Sequence, residues 1–220
     1  CSRAPPRSPA SEPGVTPPFM AELPVRPLPR GRHGLSRDEV ETSQRLRMLL
    51  ALADAMTDKG YVSTSVADVI KRAGVSRETF YQQFSSKLDC FMTAFDVAGE
   101  ALIDTIEAAV DIDRRDLGAD DGRDAATRLA QFDQVFTAYL DALASQPGYA
   151  RLFLVEVFAA GPEAIRRRGE QEGRLVDILA ALLGVGSEHG RFACEVLVAA
   201  IGAMVIEPLV AYDLRGLREL

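Results

Sequence analysis

Between Ser65 and Lys87 the sequence reads SVADVIKRAGVSRETFYQQFSSK, two short apolar-periodic stretches separated by a glycine. No other part of the chain leaves so few structural choices. Val66, Val69, Ile70 and Ala73 fall on one face of a helix of about eight residues. Gly74 stands where a tight turn needs positive φ, which glycine adopts without a Cβ clash. Ser65 and Asp68 have the spacing of a capping box, Ser76 can cap a second short helix ending near Phe84, and Lys87 opens a third. With Val66, Val69, Ile70, Val75, Phe80 and Phe84 as a small core, Arg77, Glu78, Thr79, Tyr81 and Gln82 are left pointing outward. A short helix carrying those groups fits a DNA major groove, where polar side chains read base edges.

The rest of the chain continues the helical period. Ser36 with Glu39 predicts a capped start for a first helix over Arg37–Lys59, with Leu49, Leu52, Ala53 and Met56 on its apolar face and Gly60 to end it. A long helix follows over Lys87–Val110. Residues 111–124 are a Gly- and Asp-rich loop without the carboxylate spacing of a calcium loop. Phe132, Val135, Phe136, Tyr139, Leu140 and Leu143 make the next stripe, and Pro147-Gly148 marks a break. Tyr149–Ala160 is apolar nearly all round, as a buried helix is. Gly161-Pro162 starts a helix to about Leu183, and Arg191–Tyr212 is again apolar on most sides. No alternating strand pattern occurs. The expected fold is all-α: a three-helix DNA-binding domain over 36–86 and a helical effector-binding and dimerisation domain over 87–220. Residues 1–34 hold nine of the twelve prolines and few large apolar groups, so 1–35 is expected to be a disordered basic arm.

A net charge of −7 argues at first against nucleic acid, but the charge is unevenly placed. Residues 1–87 carry 13 Lys/Arg against 9 Asp/Glu, whereas 88–220 carry 12 against 23. A basic head on an acidic body is expected when one end alone touches DNA. Cys1, Cys90 and Cys194 lie far apart and form neither a disulfide framework nor a CxxC pair, which suits a reducing cytoplasm. With only His33 and His189, a histidine-based triad has little material, and no P-loop, GxGxxG or HExxH occurs. Neither a catalytic site, a cofactor nor a metal site is therefore expected. The apolar run Val196–Ile206 falls short of the ~20 residues that span a bilayer, so no membrane partner is expected. The remaining rival is a helical ligand-binding or interaction module that never touches DNA. It leaves the polar, aromatic-bearing second helix and the adjacent basic arm without a reason.

At Ser65, Val69, Ile70, Ala73-Gly74-Val75-Ser76, Thr79-Phe80-Tyr81, Phe84 and Lys87 the chain resembles the tetracycline-repressor family. Ser65 stands where that family usually has Thr, and Ile70 where it usually has Ala. The resemblance implies a sequence-specific repressor acting as a homodimer on a palindromic double-stranded DNA operator and released by a small effector. It assigns Ser65, Tyr81 and Lys87 to phosphates, with Ser76 at the helix start, and places Arg77, Glu78, Thr79 and Gln82 nearest the bases. The plainer alternative is that several of these only cap or solvate the helices. Pro29-Arg30-Gly31-Arg32 resembles the core of an AT-hook, so Arg30 and Arg32 are candidates for a narrow minor groove, or else a solvated tail. The resemblance also implies dimerisation through the last two long helices. Arg191–Tyr212 is the candidate, with a core helix of the monomer as alternative. Phe95, Phe132, Phe136, Tyr139 and Phe153 are either walls of an effector pocket or ordinary core. The absence of charge from their stripes points to an apolar effector.

Overall fold

The structure, a computed structural model, describes residues 36–110 and 122–220. The expectations for the arm, Arg30 and Arg32 included, and for most of the Asp-rich loop lie outside the described residues. The described residues contain helices and turns and no strand. In chain order the helices are α1 (Arg37–Ser63), α2 (Val66–Ala73), α3 (Arg77–Gln83), α4 (Lys87–Val110), α5 (Ala125–Ser145), α6 (Pro147–Arg151), α7 (Val157–Ala160), α8 (Pro162–Leu183), α9 (Glu188–Met204), α10 (Ile206–Ala211) and α11 (Leu214–Arg218).

α1 organises the rest. The Ser36–Glu39 capping box forms as expected, with Glu39 N donating to Ser36 Oγ at 3.2 Å and Ser36 N to Glu39 Oε2 at 2.6 Å. Its middle is buried on more than one stripe: Met48, Ala51 and Ala55 are covered as well as Leu49, Leu52, Ala53 and Met56, while Asp54, Asp58 and Lys59 stay exposed. The cause is position, because α2 packs on one side and α4, α6 and α7 on the others. At Gly60 the helix breaks (φ 75°, ψ 167°), a conformation that a side chain strains, and the backbone turns toward α2. The core of the two short helices is not separate from the main one. Val69, Phe80 and Phe84 are buried in the same cluster as Met48, Leu52, Phe91 and Phe153, while Val66, Ile70 and Val75 pack half-buried at its edge.

Two expectations need correction. Tyr149–Ala160 is not one regular helix: a π-helical turn, Leu152–Glu156, separates α6 from α7. Such a turn widens the spiral and disturbs the backbone carbonyls that regular bonding would satisfy. Arg191–Tyr212 is likewise two helices, broken at Val205. Pro208 supplies the reason, since it has no N–H for the carbonyl one turn back and its ring crowds that carbonyl. By length and composition alone the run Glu188–Ala211, 24 residues, is also sufficient to cross a membrane, more than Val196–Ile206 suggested. After α10 the chain folds back. Tyr212 adopts a left-handed conformation and donates its hydroxyl to Thr57 O at 3.1 Å, and Leu217 of α11 is fully buried. The two longest helices of the C-terminal third are thus α8 and α9.

Candidate nucleic-acid interface

The turn between α2 and α3 is built as the sequence indicates. Gly74 is left-handed (φ 63°, ψ 39°), its N–H returns to Ile70 O, and Val75 N donates to the same carbonyl at 3.3 Å. Arg47 of α1 supplies a contact the sequence did not reveal, donating from Nη1 to Ala73 O at 2.9 Å at the end of α2. Arg45 does the same for α3, reaching Gln83 O at 3.1 Å with its guanidinium 4.6 Å from the Phe84 ring centre. Each cation meets the negative end of a helix dipole and an orphaned carbonyl.

The outer face of α3 exposes Arg77, Glu78, Tyr81 and Gln82. Arg77 lies 5.4 Å from the centre of the Tyr81 ring, whose edge meets Phe80, and Tyr81 is 46% exposed. Thr79 differs from the others. It is half-buried, its N–H donates to Ser76 Oγ at 3.0 Å, and the two hydroxyls are 2.9 Å apart. Ser76 and Thr79 therefore hold the start of α3 together before any partner arrives. Ser65 is also engaged: its hydroxyl donates to Asp68 Oδ2 at 2.5 Å and accepts from Asp68 N at 3.3 Å. Asp68 in turn pairs with Lys59 at 2.7 Å, and these contacts hold its carboxyl well below the usual carboxylate range.

Lys87 occupies a place its sequence neighbours did not suggest. Its ammonium donates to Tyr61 O at 2.8 Å and Thr64 O at 2.9 Å and sits 4.0 Å from the centre of the Tyr61 ring. Burial pulls its pKa below the ordinary lysine value. Of its three donors one remains for a phosphate, so Lys87 first ties the loop before α2 to the start of α4. At that start Asp89 N donates to Ser86 Oγ at 3.0 Å and Ser85 N to Asp89 Oδ2 at 2.7 Å. A Ser-x-x-Asp spacing at Ser86 was there to be read. The basic head is accordingly less free than its count suggests: Arg45, Arg47, Lys59, Arg72 and Lys87 all have partners within the fold, Arg72 on Asp58.

The joint at Gly60 connects this head to the body through one buried carboxylate. Glu156, in the π turn, accepts from Tyr61 N at 2.7 Å and lies 3.5 Å from Arg151. Phe153 and Leu154, in the same turn, line a cavity of about 690 Å³ including its open mouth. Phe132, Phe136, Tyr139 and Phe153 all reach that cavity, with aliphatic groups of α8 and α9 opposite. Phe95 does not. It is fully buried and stacks behind the wall on Phe153, ring centres 4.7 Å apart. The cavity is also not free of charge, since Arg168 and Glu172 of α8 line it. The two stand four residues apart on one helix and pair with each other, a spacing that on sequence alone is that of any solvated surface pair.

The described residues thus form a helix-turn-helix packed on a longer helical body. Residues 49–93 match the family described as "Bacterial regulatory proteins, tetR family". Among curated proteins the chain is 32% identical over 87 residues to the HTH-type transcriptional activator FasR of Mycolicibacterium smegmatis. That stretch covers 39% of this chain and 38% of FasR. The fold is similar to solved structures along most of its length. A TetR-like transcriptional regulator from Rhodococcus sp. RHA1 has a TM-score of 0.62 at 16% identity, over 84% of this chain and 92% of that one. A TetR-family protein from Syntrophomonas wolfei gives 0.60 at 17%, over 81% and 90%.

Proposed function

We propose that the chain is a sequence-specific DNA-binding transcriptional regulator and not an enzyme, a cytoplasmic homodimer that represses from a palindromic operator. The observation that carries this reading is the exposed outer face of α3, held rigidly by the Gly74 turn and by Arg45 and Arg47. Arg77, Glu78 and Gln82 stand where bases are read, and the Tyr81 hydroxyl and the last Lys87 donor stand where phosphates pass. Ser65, Ser76 and Thr79 act mainly by fixing the helix starts, with backbone N–H groups beside them for phosphate. Residues 36–86 form the DNA-binding unit, 87–220 the sensing and dimerising unit, and Arg30 and Arg32 of the arm add a minor-groove contact.

The second copy covers the apolar side of α9, where Phe192, Val196 and Met204 are exposed in the single chain. A face of that kind on a soluble protein marks an interaction surface. A small, largely apolar effector occupies the cavity. Because Phe153 and Leu154 line it while Glu156 in the same turn holds Tyr61, an effector that favours one arrangement of the π turn changes the spacing of the two DNA-reading heads.

Activation instead of repression is favoured by one observation, the printed description of FasR as an activator. Footprinting on the DNA around the chain's own gene tests both. Protection over a promoter supports repression, protection upstream of it supports activation, and no protected palindrome contradicts DNA regulation altogether.

A further inference from the structure

Resting on the effector reading above, we infer that the Arg168–Glu172 pair makes the cavity select a neutral ligand, an apolar body with a hydroxyl or N–H donor at one end, and reject carboxylates. The walls are aromatic and aliphatic except at this pair. A lone arginine in such a place would be an anion site, but Arg168 is already balanced. Its Nε donates to Glu172 Oε1 at 2.9 Å and its Nη2 lies 2.6 Å from the same oxygen. Nη1 reaches the carbonyls of Leu154 at 3.2 Å and Phe153 at 3.5 Å, groups of the π turn. The Phe158 ring covers the guanidinium, 4.9 Å from its centre. Four of the five guanidinium protons therefore have acceptors, and the charge has its counter-ion.

The pair leaves an acceptor to offer. Glu172 engages Arg168 through Oε1, and its side chain, 36% exposed where that of Arg168 is 11%, keeps Oε2 accessible. The Tyr139 hydroxyl lies within the field of both charges and is kept protonated by burial, so it serves as donor or acceptor. A ligand hydroxyl or N–H satisfies Glu172 Oε2, whereas a carboxylate meets a carboxylate. Bringing an uncompensated anion out of water into apolar walls is strongly unfavourable. The discrimination depends on charge and not on length or shape, so it holds for linear and aromatic ligands alike.

The test uses two matched pairs, 1-decanol with decanoate and 2-naphthol with 2-naphthoate, titrated calorimetrically into the full chain and into Glu172→Gln. In the wild type the alcohols are expected to bind at least about 100-fold tighter than the acids. In Glu172→Gln the preference reverses, because Arg168 loses its counter-ion while an amide keeps the hydrogen bond. Acids binding the wild type as well as alcohols, or an unchanged preference in folded Glu172→Gln, overturns the inference and leaves the effector cavity standing. Binding of none of the four probes to the wild type overturns the effector reading, and this inference with it.

Discussion

Removing the Glu156 carboxylate should unfasten the head from the body. In the native chain Glu156 Oε2 accepts from Tyr61 N at 2.7 Å, Oε1 faces Arg151 at 3.5 Å, and the two side chains are 8% and 13% exposed. Glu156→Ala leaves a buried N–H without an acceptor and a buried guanidinium without its counter-ion, while Arg151 Nε already has no partner. Breaking a buried pair from one side costs ~3–5 kcal/mol, a large part of the 5–15 kcal/mol that holds a typical domain. Glu156→Gln keeps an acceptor for Tyr61 N but removes the charge, so its cost is about 1–3 kcal/mol. Urea unfolding with an unchanged slope reads both values, and hydrogen exchange at the Tyr61 amide reads the local loss. In the proposed function the same change also uncouples the cavity from the DNA-reading helix, so that effector no longer alters operator affinity. If both variants fall within ~1 kcal/mol of the wild type with the Tyr61 amide still protected, the reasoning about this joint is wrong.

Three further outcomes are expected. Tyr81→Phe, at a side chain 46% exposed, should leave stability unchanged yet weaken operator binding about 10-fold in anisotropy titrations, the usual effect of losing one hydrogen bond to a charged oxygen. Gly74→Ala should destabilise by about 1 kcal/mol through its positive φ alone, because the nearest atom to an added Cβ is 3.9 Å away, and thermal melts with DNA-binding assays check both effects. Burial pushes the Cys90 thiol up to about 12 from its usual 9, so the unfolded chain loses that proton first. Its contribution to stability is complete below pH 9 and is lost as pH rises toward 12, and Cys90→Ala should flatten urea-derived stability over that window.

The all-α class, the capped starts of α1, α2 and α3, the Gly60 break and the Gly74 turn were legible because each is a local effect. Caps, left-handed glycines and apolar periods act within four residues, and the sequence displays them directly. Contacts closing over long separations were not legible. Arg47 at the end of α2, Lys87 across the loop before α2, and Glu156 on Tyr61 follow from how α1 is enclosed, and no spacing reports that. Phe95 illustrates the same limit from the other side: it is as apolar and aromatic in sequence as the pocket residues, yet it stacks behind Phe153 instead of lining the cavity. The π turn left no pattern of its own, since an apolar run such as Leu152–Val155 suits any buried helix. The Pro208 break, in contrast, could have been read.

In the proposed function α3 reads a specific DNA sequence twice in one dimer. Selection from a random duplex library by the purified full chain tests it most directly. Enrichment of a palindrome whose half-sites are spaced for two copies is expected, lost in folded Tyr81→Ala. Folded, dimeric protein that enriches no sequence at low salt would contradict it.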